Sequence, residues 1–114
     1  MNLDPFKLSA DELFFLEENL RSIHSLTIIQ FKQLTHEKKL QHSVMLDVSD
    51  RITKRRRTIE RKTAIFDTKK RYNLTLKYHE AFLLLRFIQE LVLTDPHAQM
   101  LQRNLIEVLD VSLR

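Results

Sequence analysis

Glycine is missing from all 114 residues of this chain, where average composition would supply about eight. Loops that cradle phosphates, and the turns of dinucleotide sites, need that residue for positive φ and close backbone approach. Tight hairpins lean on Asn-Gly and Asp-Gly pairs, and neither pair occurs. Nucleotide-loop enzymes and sheet-rich folds are therefore both disfavoured. Cysteine is missing too, which excludes a disulfide framework and any cysteine-ligated metal. No run of about 18 apolar residues exists, so no membrane-spanning helix is expected. The opening MNLDPFKLSADE carries acids and a proline where a secretory signal would carry an apolar core. The expectation is an intracellular, cytoplasmic protein.

What is present suits helices. Apolar residues make up 43% and charged ones 30%, and a chain of this mass buries roughly two-thirds of its unfolded surface as a single domain over 1–114. Ser9-Ala-Asp-Glu12 has the spacing of a capping box. From there Leu13, Leu16, Leu20, Ile23, Thr27, Phe31 and Leu34 step by three or four, which holds one helical face. The stripe falters over THEKKLQHS, residues 35–43, and resumes with Met45, Val48, Ile52, Ile59 and Phe66. Either one long helix runs from about 10 to 70, or a turn near 35–43 makes an antiparallel pair. The turn is preferred, because a compact domain needs it. Val44, Leu46 and Val48 alternate as in a strand, and so do Leu74, Leu76 and Tyr78. Against that reading, Asp47–Arg51, Asp50–Lys54 and Asp67–Arg71 are acid-before-base pairs four apart, the favourable helical order.

Asn73 or Thr75 is a candidate cap for the helix containing AFLLLRFIQELVL, which is apolar around most of its circumference. Thr94-Asp95-Pro96 then places a cap before a proline at the first helical position. The last amphipathic helix carries Ala98, Leu101, Leu105, Val108 and Leu109 on one face. The expected fold is all-α: a small bundle of three or four helices over about 10–34, 44–71, 75–93 and 96–112, with one long extended helix as the variant. A helix content of at least about 65% is expected, against 30–35% in average domains.

Catalytic and metal motifs are lacking. His36-Glu37 begins like a zinc-protease motif, but the second histidine would be residue 40, which is Leu40. No ligand spacing recurs among His24, His36, His42, His79 and His97, and surface histidine is the plainer reading. Glu17 and Glu18 point about 100° apart on a helix and form no acid/base dyad; they read as solvated, with Glu17 able to pair with Arg21. Asn73-Leu-Thr75 matches a glycosylation sequon but reads as a helix start. No glycines flank any serine as a nucleophile elbow requires. No enzymatic activity, metal, cofactor, membrane span or small-molecule substrate is expected.

The segment DRITKRRRTIERK, residues 50–62, is different in kind. Residues 51–71 hold ten of the chain's 19 basic residues and two acids, a local charge of +8. The first 50 residues sum to −3 and the last 43 to −1, so the overall +4 conceals a polarised molecule. Ile52, Ile59 and Phe66 leave this helix a narrow apolar seam, which Arg56 and Lys70 crowd. A helix so positive and so thinly anchored repels itself unless counter-charged. The bland reading is a solvated face with long side chains laid along it. The sharper one assigns Arg51, Lys54, Arg55, Arg56, Arg57, Arg61, Lys62, Lys69, Lys70 and Arg71 to binding a polyanion, with nucleic-acid phosphates first.

Base readout has less support. Leu76 and Leu83 lead to Glu90, so no leucine zipper follows the basic region, and no glycine-containing turn marks a helix-turn-helix. Non-specific phosphate contact is the expectation. The alternative is a structural subunit of a larger particle, such as a viral or secretion assembly. There the basic helix would meet an acidic protein surface, that of another copy included.

Overall fold

The computed structural model describes residues 3–60 and 70–114. Of these, 74% are helical, and none has a positive φ. The missing glycine and the missing left-handed backbone are one fact, since only glycine adopts that region without steric cost. Every described turn is made from right-handed or extended residues, with side chains closing the helix ends.

A short strand β1 (Phe6–Leu8) leads into α1 (Ala10–Leu20), a 3₁₀ segment (Arg21–Ser25), α2 (Ile28–Lys32) and α3 (His36–Glu60). Strand β2 (Tyr72–Leu74), α4 (Tyr78–Gln89) and α5 (Pro96–Leu113) follow. The capping box of α1 forms as its spacing indicates. The Glu12 amide donates to Ser9 Oγ at 3.2 Å, and the Ser9 amide donates to Glu12 Oε1 at 2.8 Å. Asp95 caps α5, accepting the Ala98 amide at 2.9 Å, with Pro96 at the first turn.

Two expectations are corrected. The chain does not turn at 35–43; it turns at 21–35, and THEKKLQHS contains the start of α3. Two threonines account for this. Thr27 accepts the Gln30 amide while Gln30 reaches back to the Thr27 amide, which starts α2. Thr35 then accepts the Lys38 amide at 3.2 Å, which starts α3. The apolar stripe past Leu20 bridges these breaks, so its period survived a loss of helix: Ile23, Phe31 and Leu34 are half-buried and Thr27 is exposed.

The second correction is the two-stranded sheet. Tyr72, Leu74 and Leu76 are buried, with Asn73 and Thr75 exposed between them. Of the two alternations, Val44–Val48 is helical, within α3, whereas Leu74 ends a strand and only Tyr78 is helical, opening α4; neither Asn73 nor Thr75 caps α4, which begins after Lys77. β2 pairs antiparallel with β1 in the register Phe6–Leu74, Lys7–Asn73, Leu8–Tyr72. A further bond from the Leu3 amide to the Leu76 carbonyl, 3.0 Å, extends the pairing.

Helices α1, α3, α4 and α5 pack in a closed cycle, α1 on α3, α3 on α4, α4 on α5 and α5 on α1. Leu13, Leu16, Leu20, Val48, Ile52, Leu76, Leu84, Ile88 and Leu105 are its innermost side chains. The basic segment thus begins on a helix held from two sides.

Candidate polyanion-binding surface

Helix α3 turns Met45, Val48, Ile52 and Ile59 inward, and at about 100° per residue this fixes the direction of every arginine. Arg51 and Arg56 lie roughly 140° apart, so they flank the apolar seam and reach opposite neighbours. Arg51 faces α4. It bonds Glu80 Oε2, and it donates to the Thr75 carbonyl at 3.3 Å and to Asp47 at 3.0 Å. Arg56 faces α1. It bonds Glu17 at 2.7 Å, Glu18 at 3.2 Å and Glu60 at 2.8 Å, with its guanidinium 4.4 Å from the centre of the Phe14 ring. The seam that Arg56 seemed to crowd is where it docks.

These contacts shift the acids. Burial pushes the Glu17 carboxyl up, but hydrogen bonds from Arg21 and Arg56, with their charges, outweigh it and hold the group below the ordinary carboxylate range. Burial likewise raises Glu80. The Lys77 backbone N–H, 2.8 Å away, and Arg51 reverse that and lower it. The Arg56 guanidinium is held protonated most of all by Glu60. Glu17 was expected to be solvated; it is 6% exposed, while its pairing with Arg21, at 2.9 Å, forms as the spacing indicates.

Lys54 and Arg57 lie on the far side of α3, exposed. Arg55, half-buried, points to β2, its guanidinium 5.7 Å from the centre of the Tyr72 ring. Lys70, just before β2, brings its ammonium to 5.5 Å of the same ring, so two cations far apart in sequence meet on one aromatic. Among the described residues the buried Arg55 Nε has no hydrogen-bond partner. Arg71 is exposed and borders a cleft of ≈ 510 Å³ shared with Asp11 and Glu107. Among the described residues, no carboxylate pairs with Lys54, Arg55, Arg57, Lys70 or Arg71. Arg61, Lys62 and Lys69 lie outside the described residues.

Sequence reasoning thus gathered two kinds of arginine into one set. The acid partners Glu17 and Glu80 are 39 and 29 residues away, and no local pattern links them to α3. A fainter signal was available for Glu80, which stands three residues after Lys77 at the start of an apolar run, the spacing of a helix N-terminus.

Other chemistry is sparse. His24 Nε2 lies 3.0 Å from Ser49 Oγ, but Ser49 is buried and out of reach of a substrate. Among the described residues no group of three histidine or acidic side chains could hold a metal, and no helix is long and apolar enough to cross a membrane. No family model, curated protein or solved structure matches the chain.

Proposed function

We propose that the chain is a non-enzymatic binding protein: a small helical bundle that presents a cationic surface to nucleic-acid phosphates without reading bases. One observation carries this reading. Five cationic side chains on α3 and the lead-in to β2, Lys54, Arg55, Arg57, Lys70 and Arg71, have no carboxylate ion-pair partner among the described residues, and two of them, Arg55 and Lys70, meet on the Tyr72 ring. Internal pairing elsewhere on α3 shows what the fold does with arginines it uses for itself. Cations left without an internal carboxylate favour an external anion, and phosphate is the commonest one of high charge density.

The test is fluorescence anisotropy with mixed-sequence DNA and RNA over a salt series. Five phosphate contacts give a slope of log K against log salt near −4.5 on duplex, which costs roughly 500-fold between 50 and 200 mM. Sequence should matter little, because phosphate contacts position a protein without reading bases. Changing Lys54, Arg57 and Lys70 to glutamate takes the local charge from +8 to +2. All three are exposed, so folding should survive while binding is abolished. A well-folded wild type that binds neither nucleic acid at 50 mM salt ends the phosphate reading. If the same triple variant then loses a protein from host pull-downs, the cationic surface serves an acidic partner instead.

A further inference from the structure

We infer that the corner between α2 and α3 docks on an anionic lipid surface, with Ile28 and Ile29 entering the apolar layer and lysines meeting the headgroups. Helix α2 buries none of its five residues, yet it carries two isoleucines side by side, 73% and 72% exposed. The fold holds them there. The reciprocal Thr27–Gln30 box closes the turn on which both isoleucines stand. Phe31 then lies against α3, its ring centre 5.7 Å from that of His42 and 5.8 Å from the Lys39 ammonium. At about 100° per residue, Lys32 projects between Ile28 and Ile29, one turn further on. An adjacent exposed pair on a helix that buries nothing differs from the single apolar residues scattered over any surface.

The charges select the occupant. Residues 26–46 hold Lys32, Lys38 and Lys39 against the single acid Glu37, a net +2 inside a stretch of 50 residues that sums to −3. Among the described residues none of these three lysines pairs with a carboxylate. A second copy meeting this corner brings like charge to like, and so does any basic partner. Nucleic acid satisfies the lysines but presents phosphate and sugar to the isoleucines. An anionic bilayer supplies both needs at once: negative headgroups for the ammonium groups, and beneath them hydrocarbon that accepts apolar side chains without a matching pocket. The long lysine stems let the charges stay among headgroups while the neighbouring isoleucines go deeper. The contact is superficial, since among the described residues no helix is long and apolar enough to cross a membrane. It does not rest on the phosphate reading. Lys38 and Lys54 both lie on α3 and are separated by ~24 Å along its axis, so the corner and the cationic surface are distinct.

Because the chain has no cysteine, an environment-sensitive nitrobenzoxadiazole label on Ile29→Cys reads the corner alone. The same label on Thr58→Cys, also an exposed position, reads the cationic half. On phosphatidylcholine vesicles carrying about 30% phosphatidylserine, the label at 29 should shift to the blue and be quenched by brominated lipid tails. The label at 58 should do neither, and vesicles of phosphatidylcholine alone should give a much smaller response. Partitioning of the chain labelled at 29, titrated with lipid, should weaken at least about tenfold in Ile28→Ser. It should weaken roughly fivefold in each of Lys32→Gln and Lys38→Gln. Val92→Ser, at a position 93% exposed on the α4–α5 connection, should partition as its parent does. A label at 29 that stays in water on anionic vesicles overturns the inference and leaves an acidic protein as the partner. Partitioning undiminished by Ile28→Ser overturns it too, as does a label at 58 that enters the tails in place of the one at 29. Should Ile28→Ser fail to fold, the two labels decide on their own. No nucleic acid enters this test, so its failure leaves the phosphate reading standing.

Discussion

Arg56 and Arg57 are adjacent in sequence and opposite in use. Arg56 bonds Glu17 and Glu18 of α1 and Glu60 of its own helix, while Arg57 points to water. Arg56→Met leaves the buried Glu17 with Arg21 alone and should cost about 2 kcal/mol, below the 3–5 of a fully buried pair because that second arginine remains. Arg57→Met should change stability by less than about 0.5 kcal/mol. The same contacts set a pH dependence. Glu17 and Glu80 have folded values below the ordinary 4.5, so the unfolded chain takes up protons first as pH falls. Their contribution is complete above about pH 4.5 and is lost progressively as pH drops through the lowered values. Urea titrations at steps between pH 7 and pH 2 should show that loss in the wild type and a smaller one in Arg56→Met. A stability flat from pH 5 to pH 3 would mean these pairs contribute nothing.

At the scale of elements, α4 is the test of the packing. Leu84 is fully buried beneath α3 and α5, and Leu84→Asp forces a carboxylate into that core or its pKa upward, at a cost of several kcal/mol. Thermal melts followed by circular dichroism should show the variant unfolded or deeply destabilised; a wild-type melting temperature would place Leu84 at the surface. Much of this architecture is legible in the chain. The Ser9 and Asp95 caps, the burial of Leu13, Leu16 and Leu20, and the helical content all follow from local rules. What failed was non-local or carried by too few residues. Thr27 starts a helix within a stripe whose period runs unbroken to Leu34, and Thr35 starts another where the stripe falters. The FKL of β1 is three residues long and meets its partner only after more than sixty others. The candidate surface divides the same way: Lys54 and Arg57 are placed outward by helical spacing alone, whereas the removal of Arg51 and Arg56 into ion pairs depends on acids from α4 and α1.

The whole molecule is electrically lopsided. Its cationic end gathers charges whose mutual repulsion opposes folding. Going from 10 to 100 mM NaCl shortens the screening length from about 30 to about 10 Å, which relieves that repulsion while the buried pairs are screened much less. The melting temperature should therefore rise by a few degrees over that range in differential scanning calorimetry. A fall would show that the ion pairs outweigh the repulsion.

One connection has a consequence for how such a chain is made. With no glycine to close its end, α4 is finished by side chains of α5. Gln102 donates to the carbonyls of Ile88 and Leu91 at 2.8 and 3.0 Å, and Gln99 donates to that of Leu93 at 2.8 Å. The stop signal for α4 is thus written fourteen residues downstream of Ile88. During vectorial synthesis all of α4 is in the chain before Gln102 has been joined to it. Its end is settled only when α5 folds back, so the two helices enter the native state together as one unit of assembly.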